Sequence, residues 1–116
     1  MSEPVYKICD EAALRGARRK GRFEGSPDDL RDGFIHLSAG AQVAGTLATH
    51  FAGRDDLLLL AVDTERLGDR LRWEPSRGGD LFPHLYGPLD LAHVLFIEAL
   101  PLQDDGRHRL PAGVAP

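Results

Sequence analysis

The segment DLLLLAVD (residues 56–63) decides the fold that we expect for this chain. Its six central residues are all apolar. An uninterrupted apolar run of this length is typical of a β-strand that is buried on both faces. Such a strand lies inside a sheet, so the rest of the chain must supply its neighbouring strands and two covering layers.

Two segments before this run are predicted to be its companions in the sheet. VYKIC (residues 5–9) and FIHLS (residues 34–38) alternate along their length and contain β-branched and aromatic residues, which indicates strands. In FIHLS the two aliphatic residues share one face, so His36 and Ser38 project together from the other. A His and a hydroxyl on a rigid strand are well placed to bind a ligand. For His36, a purely structural role is the alternative.

Helix signals stand between these strands. Asp10 is a suitable N-cap for a helix over residues 11–20, and Gly21 is a suitable stop. A short helical turn is expected to start at Ser26, with Asp29 in the capping-box position.

A further helix is expected from Ala41, because Val43, Leu47 and Phe51 recur at helical spacing. Ser38 stands where this helix would begin and is its expected N-cap. A capping role and a ligand-binding role for Ser38 are compatible.

The alternation of strands and helices stops in the second half of the chain. WEPSRGGDLFPHLYGPL (residues 73–89) contains three Gly and three Pro and is predicted to be irregular, and a strand is predicted over residues 93–102. We therefore predict an α+β fold with a mixed or antiparallel sheet and a few helices. We expect one domain over residues 1–116, with residues 112–116 as a frayed end.

Composition limits the possible partners. The 116 residues carry a net charge of −4, which argues against a surface coated in positive charge for nucleic acid, so RNA is a disfavoured partner. RGARRKGR (residues 15–22) is a local exception. It is either a solvated helix face, with cations at the helix end, or a landing patch for a phosphate backbone or an acidic partner.

Cysteine content and the N-terminus indicate the compartment. Cys9 is the one cysteine, so no intrachain disulfide can form. The first residues lack the apolar region of a signal peptide, and the longest apolar run is too short to span a bilayer. We expect a cytoplasmic protein that does not enter membranes. The sequence does not indicate an oligomeric state.

The segment 73–89 also collects polar groups that are suited to a binding site. The Arg77 guanidinium and the backbone amides of Gly78 and Gly79 are suited to a phosphate or carboxylate, although Arg77 paired with an acid in an ordered loop is the alternative. Two prolines restrict the chain around His84 and Tyr86. The remaining candidates in this segment are Trp73, Glu74 and Ser76.

Several familiar chemistries are missing from the sequence. No P-loop, dinucleotide-binding fingerprint or nucleophile elbow is present. The five His lack metal-ligand spacing, so no metal is expected. Cys9 lies in a predicted strand without a visible activator, which disfavours a thiol nucleophile.

Four segments resemble a known family of small bacterial proteins, domain of unknown function 952. They are YKI (6–8), DGFIHLSAGAQVAGT (32–46), LLAVD (59–63) and WEPSRGGDLFPHLYGPL (73–89), and the resemblance extends from about Val5 to Pro111. The fold of that family is similar to that of ADP-ribosyltransferases, which cleave NAD at the nicotinamide–ribose bond, and distantly to that of RNA 2′-phosphotransferases. The resemblance implies an ADP-ribosylation-like fold.

The resemblance also implies roles for particular residues. His36 and Ser38 would bind ribose hydroxyls, and Arg77 with the glycine amides would hold pyrophosphate. Glu74 would stabilise positive charge on the ribose, and Tyr86 or Trp73 would stack on a ring. The first strand of that fold usually carries His or Arg, and here Lys7 or Tyr6 takes the place. His36, Glu74 and His84 are thus the catalytic candidates, with NAD as the implied substrate.

Three functional interpretations stay open at this point. The first is a cleft for NAD, ADP-ribose or a phosphorylated nucleotide, with or without transferase activity. The second is a non-catalytic module that binds another anionic metabolite or a peptide. The third is a protein-interaction domain with Trp73, Phe82 and Tyr86 as an aromatic anchor.

Overall fold

The computed structural model describes residues 3–114, and for Arg77 it describes the backbone only. Every strand pairing within this part of the chain is antiparallel, which confirms the α+β prediction and, of the two predicted sheet types, the antiparallel one. Within residues 3–114, no helix is long and apolar enough to cross a lipid bilayer. The elements are β1 (Val5–Asp10), α1 (Glu11–Lys20), β2 (Arg22–Phe23), α2 (Pro27–Asp32), β3 (Ile35–His36), β4 (Ser38–Ala39), α3 (Val43–His50), β5 (Leu57–Val62), α4 (Thr64–Leu67), β6 (Leu71–Pro75), β7 (Leu81–Leu85), β8 (Leu89–Asp90) and β9 (Val94–Ala99).

The main sheet has the strand order β4-β1-β5-β9, with β5 in its interior as predicted. Side chains of β5 alternate between two apolar clusters, because successive residues of a strand point to opposite faces. Leu60 belongs to one cluster together with Leu14 of α1, and Leu59 belongs to the other together with Leu47 of α3. The two helices therefore cover the two faces of the central strand.

The predicted caps are confirmed at both early helices. The Asp10 carboxylate accepts a 2.7 Å hydrogen bond from the Ala13 amide, and α1 ends at Gly21 with φ of 79°. At α2, the Ser26 amide donates to the Asp29 carboxylate over 2.9 Å. This capping box fixes the orientation of Asp29, which has a further role described below.

The segment 73–89 was predicted to be irregular. This prediction was wrong, because the segment contributes most of a β-hairpin. β6 and β7 pair over five residues each, and β3 joins the other edge of β7 to make a second sheet of order β3-β7-β6. A turn connects the two long strands, closed by a 2.9 Å bond from the Ser76 amide to the Asp80 carbonyl. The segment was predicted to be irregular because prolines usually interrupt strands. Here Pro75 ends β6, and the carbonyl of Pro83 still accepts from the Leu37 amide over 3.0 Å.

The predicted strand 34–38 is divided at Leu37 into β3 and β4. Ile35 pairs with Leu85 of β7 in the second sheet, whereas Ser38 pairs with Tyr6 of β1 in the main sheet. This segment therefore connects the two sheets.

The expectation that Ser38 caps the following helix was wrong. Ser38 lies in β4, and a 3₁₀ turn over Gly40–Gln42 comes before α3. The helix predicted from Ala41 therefore begins at Val43.

The C-terminal residues that the structure describes are packed against the protein. Val114 is buried within the cluster that contains Leu59, and its amide donates to the Pro111 carbonyl over 3.2 Å. Ala112 and Gly113 are exposed, and the frayed end over residues 112–116 stays a prediction. Residues 115–116 lie outside the described part of the chain.

Candidate functional site

A cavity of about 270 Å³ borders the edge of β1. The pairing of β1 with β4 stops at Tyr6, and Tyr6, Lys7 and Ile8 line the cavity at this edge. The other walls come from α2, β3, β4, α3, the turn after β6, and β7. Five of the predicted site residues line it, from four separate segments of the chain: Lys7, His36, Ser38, Ser76 and His84.

Asp29 of α2 organises one wall of this cavity. One carboxylate oxygen, Oδ2, accepts from the Lys7 ammonium over 2.8 Å and from the Ser26 amide over 2.9 Å. The other, Oδ1, accepts from the His36 amide over 3.0 Å and lies 2.6 Å from the His36 ring nitrogen Nδ1. Burial alone would raise the pKa of Asp29, but the hydrogen bonds from His36 and the charge of Lys7 hold that pKa well below its ordinary value. Asp29 therefore stays ionised.

His36 is held by carboxylates at both ring nitrogens. Nδ1 faces Asp29, and Nε2 lies 2.9 Å from the Asp32 carboxylate. An ionised carboxylate only accepts hydrogen bonds, so both nitrogens donate together when the ring is an imidazolium. His36 thus ties α2 to β3, and both of its ring nitrogens are engaged.

Lys7 is a buried cation, only 5% exposed. Its ammonium donates to Asp29 and, over 3.3 Å, to the His36 carbonyl, and it lies 5.6 Å from the centre of the Phe23 ring. An ammonium carries three N–H donors, so these two hydrogen bonds leave one N–H without an oxygen partner. Lys7 was predicted as a ligand contact, and the structure adds a role as the counterion of Asp29.

A second network lies behind His84 on β7. The Glu74 oxygen Oε1 lies 2.8 Å from Nδ1 of His84, and it accepts from the Tyr86 hydroxyl over 2.7 Å. The hydrogen bonds from Tyr86 and His84 lower the pKa of Glu74, and the bond to Glu74 raises the pKa of Tyr86. Phe34 stacks on the His84 ring with 4.1 Å between ring centres. The other ring nitrogen of His84, Nε2, is buried and has no partner among the described residues.

Strand register decides which predicted residues share a face of the second sheet. His84 stands opposite both His36 and Arg72, so these three side chains project from the same face. Trp73 stands opposite Pro83 and projects from the other face, where it is 46% exposed. Trp73 therefore does not reach the cavity.

The predicted aromatic anchor is divided by the same register. Phe82 and Tyr86 each lie two residues from His84 along the chain, so they share the face of His84. Phe82 is buried and lines the cavity, and Tyr86 is bonded to Glu74. Trp73, on the opposite face, cannot act together with them.

The Ser76–Asp80 turn stands at one end of the cavity. Ser76 lines the cavity, whereas Gly78 and Gly79 do not. The Gly79 amide donates to the Ser76 carbonyl over 2.8 Å, so the turn itself uses this predicted phosphate-binding group. The side chain of Arg77 lies outside what the structure describes.

The basic segment 15–22 lies away from this cavity. Its last cations, Lys20 and Arg22, contact the Glu24 carboxylate over 2.7 Å and 3.2 Å. They border a separate groove of about 600 Å³ beside α1. The pairing with Glu24 partly neutralises this patch, in keeping with a solvated helix end.

Metal and thiol chemistry find no support in residues 3–114. No group of three His, Cys, Asp or Glu in this range could hold a metal ion. Cys9 is buried, and burial raises the pKa of its thiol to about 11. A thiol in this setting is a poor nucleophile at neutral pH.

Two features of this site were not predicted from the sequence. Asp29 was identified only as a capping residue, although Asp29 and Asp32 stand three apart on α2 and so share one side of that helix. Glu74, His84 and Tyr86 were each identified, but their contact depends on the pairing of β6 with β7, which was not predicted.

The comparisons with known proteins agree on the fold and give no activity. A family model described as "Protein of unknown function (DUF952)" matches residues 8–97. The crystal structure of protein CC0527 from Caulobacter crescentus is similar with a TM-score of 0.88 and 51% identity, over 92% of this chain and 94% of that chain. The solution NMR structure of CC0527 gives a TM-score of 0.84 and 51% identity, over 92% of each chain. No curated protein matches the sequence.

Proposed function

We propose that this protein, which belongs to the DUF952 family of proteins of unknown function, binds the ribose-phosphate end of a small nucleotide in the cavity beside β1. One observation carries the proposal. Polar side chains from four separate segments converge on a single concave site, which is the usual form of a small-molecule pocket.

The size of the cavity favours part of a nucleotide over a complete dinucleotide. Its volume of about 270 Å³ is near the lower end of ligand pockets, which span roughly 300–1,000 Å³. A ribose phosphate fits such a space, whereas the rest of an NAD molecule would extend beyond it. Tyr6, Phe51 and Phe82 add apolar surface to the lining.

The polar groups suit hydroxyls more than a cluster of phosphates. Most charges on the walls already pair with one another, as Lys7 does with Asp29 and Arg31 with Asp28. The remaining N–H of Lys7 is the contact that we assign to a single phosphate. Ser38, whose hydroxyl lies 3.1 Å from the Thr46 hydroxyl, and His84 are assigned to ribose hydroxyls.

The position of Glu74 favours binding over transferase turnover. A carboxylate that stabilises positive charge on a ribose must face that ribose. Glu74 does not line the cavity, and its Oε1 is engaged by His84 and Tyr86. The proposal is therefore a binding activity, and transfer of an ADP-ribosyl or phosphoryl group is a separate step beyond it.

The test is a series of amide NMR titrations with NAD, ADP-ribose and a 2′-phosphorylated nucleotide. We expect shifts at Lys7, His36, Ser38 and His84, weakened by Ser38→Ala and unaffected by Trp73→Phe on the opposite face. An absence of shifts at millimolar ligand would refute nucleotide binding. An assay for nicotinamide release, run on the same samples with NAD, decides whether binding leads to turnover.

Self-association through the other face of the second sheet is a second candidate. Trp73 and Leu81 share this face and are 46% and 53% exposed. Large exposed apolar side chains that stand together often mark protein contacts. Light scattering at increasing concentration tests this, since Trp73→Ala should shift a dimer to monomer. Leu30→Ala should not, although Leu30 on α2 is more exposed, at 67%. A wild-type chain that stays monomeric contradicts the idea.

A further inference from the structure

We infer that Nε2 of His84 is a hydrogen-bond acceptor that selects a donor group on the bound ligand, a hydroxyl or an amino group. The inference rests on the proposed function and goes further, because it assigns a chemical polarity to one position in the cavity. Glu74 is the positioning residue that sets this polarity from behind the ring.

The Glu74 carboxylate accepts both of its hydrogen bonds. Its lowered pKa means that the carboxylate is ionised at neutral pH, and an ionised carboxylate only accepts. Both of its contacts must therefore donate, the Tyr86 hydroxyl at 2.7 Å and Nδ1 of His84 at 2.8 Å. The proton of a neutral His84 ring is thus held on Nδ1.

Nε2, the other ring nitrogen of His84, is left as an acceptor. With the proton of the neutral ring on Nδ1, Nε2 carries a lone pair and can only accept. His84 is 4% exposed, and Nε2 is buried without a partner among the described residues. Buried polar atoms in native proteins nearly always have a partner, so an orphaned one calls for a partner from outside the chain. His84 lines the cavity, and we assign the missing partner to a ligand that approaches Nε2 from there.

The His84 ring is held in place by its strand and by neighbouring rings. β7 is the middle strand of its sheet, with β3 on one side and β6 on the other. Phe34 stacks on one face of the His84 ring, and the His36 ring meets it edge-on with 5.7 Å between ring centres. These contacts and the bond to Glu74 hold the ring with Nδ1 toward the carboxylate, so the preference for a donor is built into the fold.

The first experiment needs no ligand. Long-range proton–nitrogen NMR spectra of the ¹⁵N-labelled protein at pH 8 report which nitrogen of each histidine carries hydrogen. We expect His84 to be protonated on Nδ1 and bare on Nε2. A ring protonated on Nε2 overturns the inference, whatever the protein binds.

The second experiment uses AMP and its analogues at the ribose 2′ and 3′ positions, with amino or fluoro in place of hydroxyl. An amino group donates, whereas fluorine does not. At one of the two positions we expect the amino form to bind like AMP and the fluoro form to bind about tenfold more weakly, the worth of one hydrogen bond. The Nε2 signal of His84 should move when AMP binds. His93 also has a buried, unpartnered nitrogen but does not line the cavity, and its signal should stay in place.

The outcomes separate this inference from the proposed function. Binding of AMP with equal affinity for the fluoro and amino forms at both positions overturns the polarity of His84 and leaves nucleotide binding intact. No binding of AMP or any analogue overturns both.

Glu74→Gln tests the positioning role. The amide of Gln can donate as well as accept, so it no longer fixes the proton on Nδ1. We expect part of the Nε2 population to gain hydrogen and the tenfold selectivity for amino over fluoro to fall toward onefold, with folding followed by thermal melting. A purely structural Glu74 would leave both the nitrogen signals and the selectivity of the folded variant unchanged.

Discussion

Asp29→Asn is the substitution that tests most directly how the wall of the cavity is held together. Asn has nearly the same shape as Asp but carries no charge, and one of its two oxygens is replaced by an NH₂ group. Each carboxylate oxygen of Asp29 faces two donors, Lys7 and Ser26 at one and the ring and amide of His36 at the other. Whichever way the Asn amide is turned, its NH₂ group meets at least one of these donors.

The expected cost follows from these contacts. With the NH₂ group toward Lys7 and Ser26, the variant loses one charged hydrogen bond, worth about 1.5–3 kcal/mol, and one neutral bond, worth about 0.5–1.5 kcal/mol. It also leaves Lys7, 5% exposed, without its counterion. Breaking a buried ion pair from one side costs about 3–5 kcal/mol. We therefore expect a loss of about 3–4 kcal/mol, which for a chain of this length lowers Tm by about 12–16 °C.

Urea and thermal unfolding, followed by circular dichroism at pH 7, measure this loss. Asp28→Asn is the matched control, since Asp28 is a neighbour on α2 whose exposed carboxylate contacts Arg31 over 3.1 Å. Such surface pairs contribute only about 0–1 kcal/mol. If Asp29→Asn costs no more than Asp28→Asn, the account of Asp29 as the organiser of the wall is refuted.

The pH dependence of the same variant has a definite sign. The pKa of Asp29 lies lower in the folded state than the ordinary unfolded value of about 3.9. Its contribution to stability is thus fully present above the unfolded pKa and declines as the pH falls toward the folded pKa. The difference in stability between wild type and Asp29→Asn should shrink as the pH falls below about 4. A difference that grows below about pH 4 contradicts this assignment.

Three further predictions concern other positions. Gly25→Ala should destabilise the protein by about 1–3 kcal/mol in thermal melts, because φ is 129° and the new Cβ would lie 2.9 Å from Cβ of Asp29. Gly16→Ala should stabilise it by about 0.5–1 kcal/mol in the same measurement, because Gly16 lies inside α1 with no heavy atom within 4 Å of an added Cβ. Cys9 should resist iodoacetamide at pH 8 in the folded protein and react on unfolding, as followed by mass spectrometry, since it is buried with a pKa of about 11.

The parts of the fold that the sequence predicted are those that depend on local chemistry. The apolar run of β5 and the caps at Asp10, Gly21 and Ser26 act within a few residues, and all of them are confirmed. The hairpin of β6 and β7 was missed because its segment is rich in Gly and Pro, and its pairing with β3 joins segments that are distant in the sequence. Propensities of Gly and Pro for turns were overridden there by this tertiary pairing.

The site was predictable as a set of residue types and not as a geometry. Lys7, His36 and His84 were identified from their chemistry, and they line one cavity. Whether each side chain is free or engaged depends on partners that are far away in the sequence. Lys7 and Asp29 are 22 positions apart, and the roles of His36 and Trp73 likewise depend on α2 and on strand register. No periodicity in the sequence carries that information.

The two histidines of the cavity differ in how many of their ring nitrogens have a hydrogen-bond partner. His36 and His84 stand opposite each other in register, and each has a carboxylate at Nδ1. His36 has a second carboxylate, Asp32, at Nε2, and its hydrogen-bonding capacity is used up in joining α2 to the sheet. His84 has its second nitrogen buried and unpartnered. Because burial removes water as a substitute partner, the cost of that orphaned nitrogen is recovered only when something else binds to it. The same residue type thus serves the fold at one position, and at the facing position it is the side chain that a ligand in the cavity would satisfy.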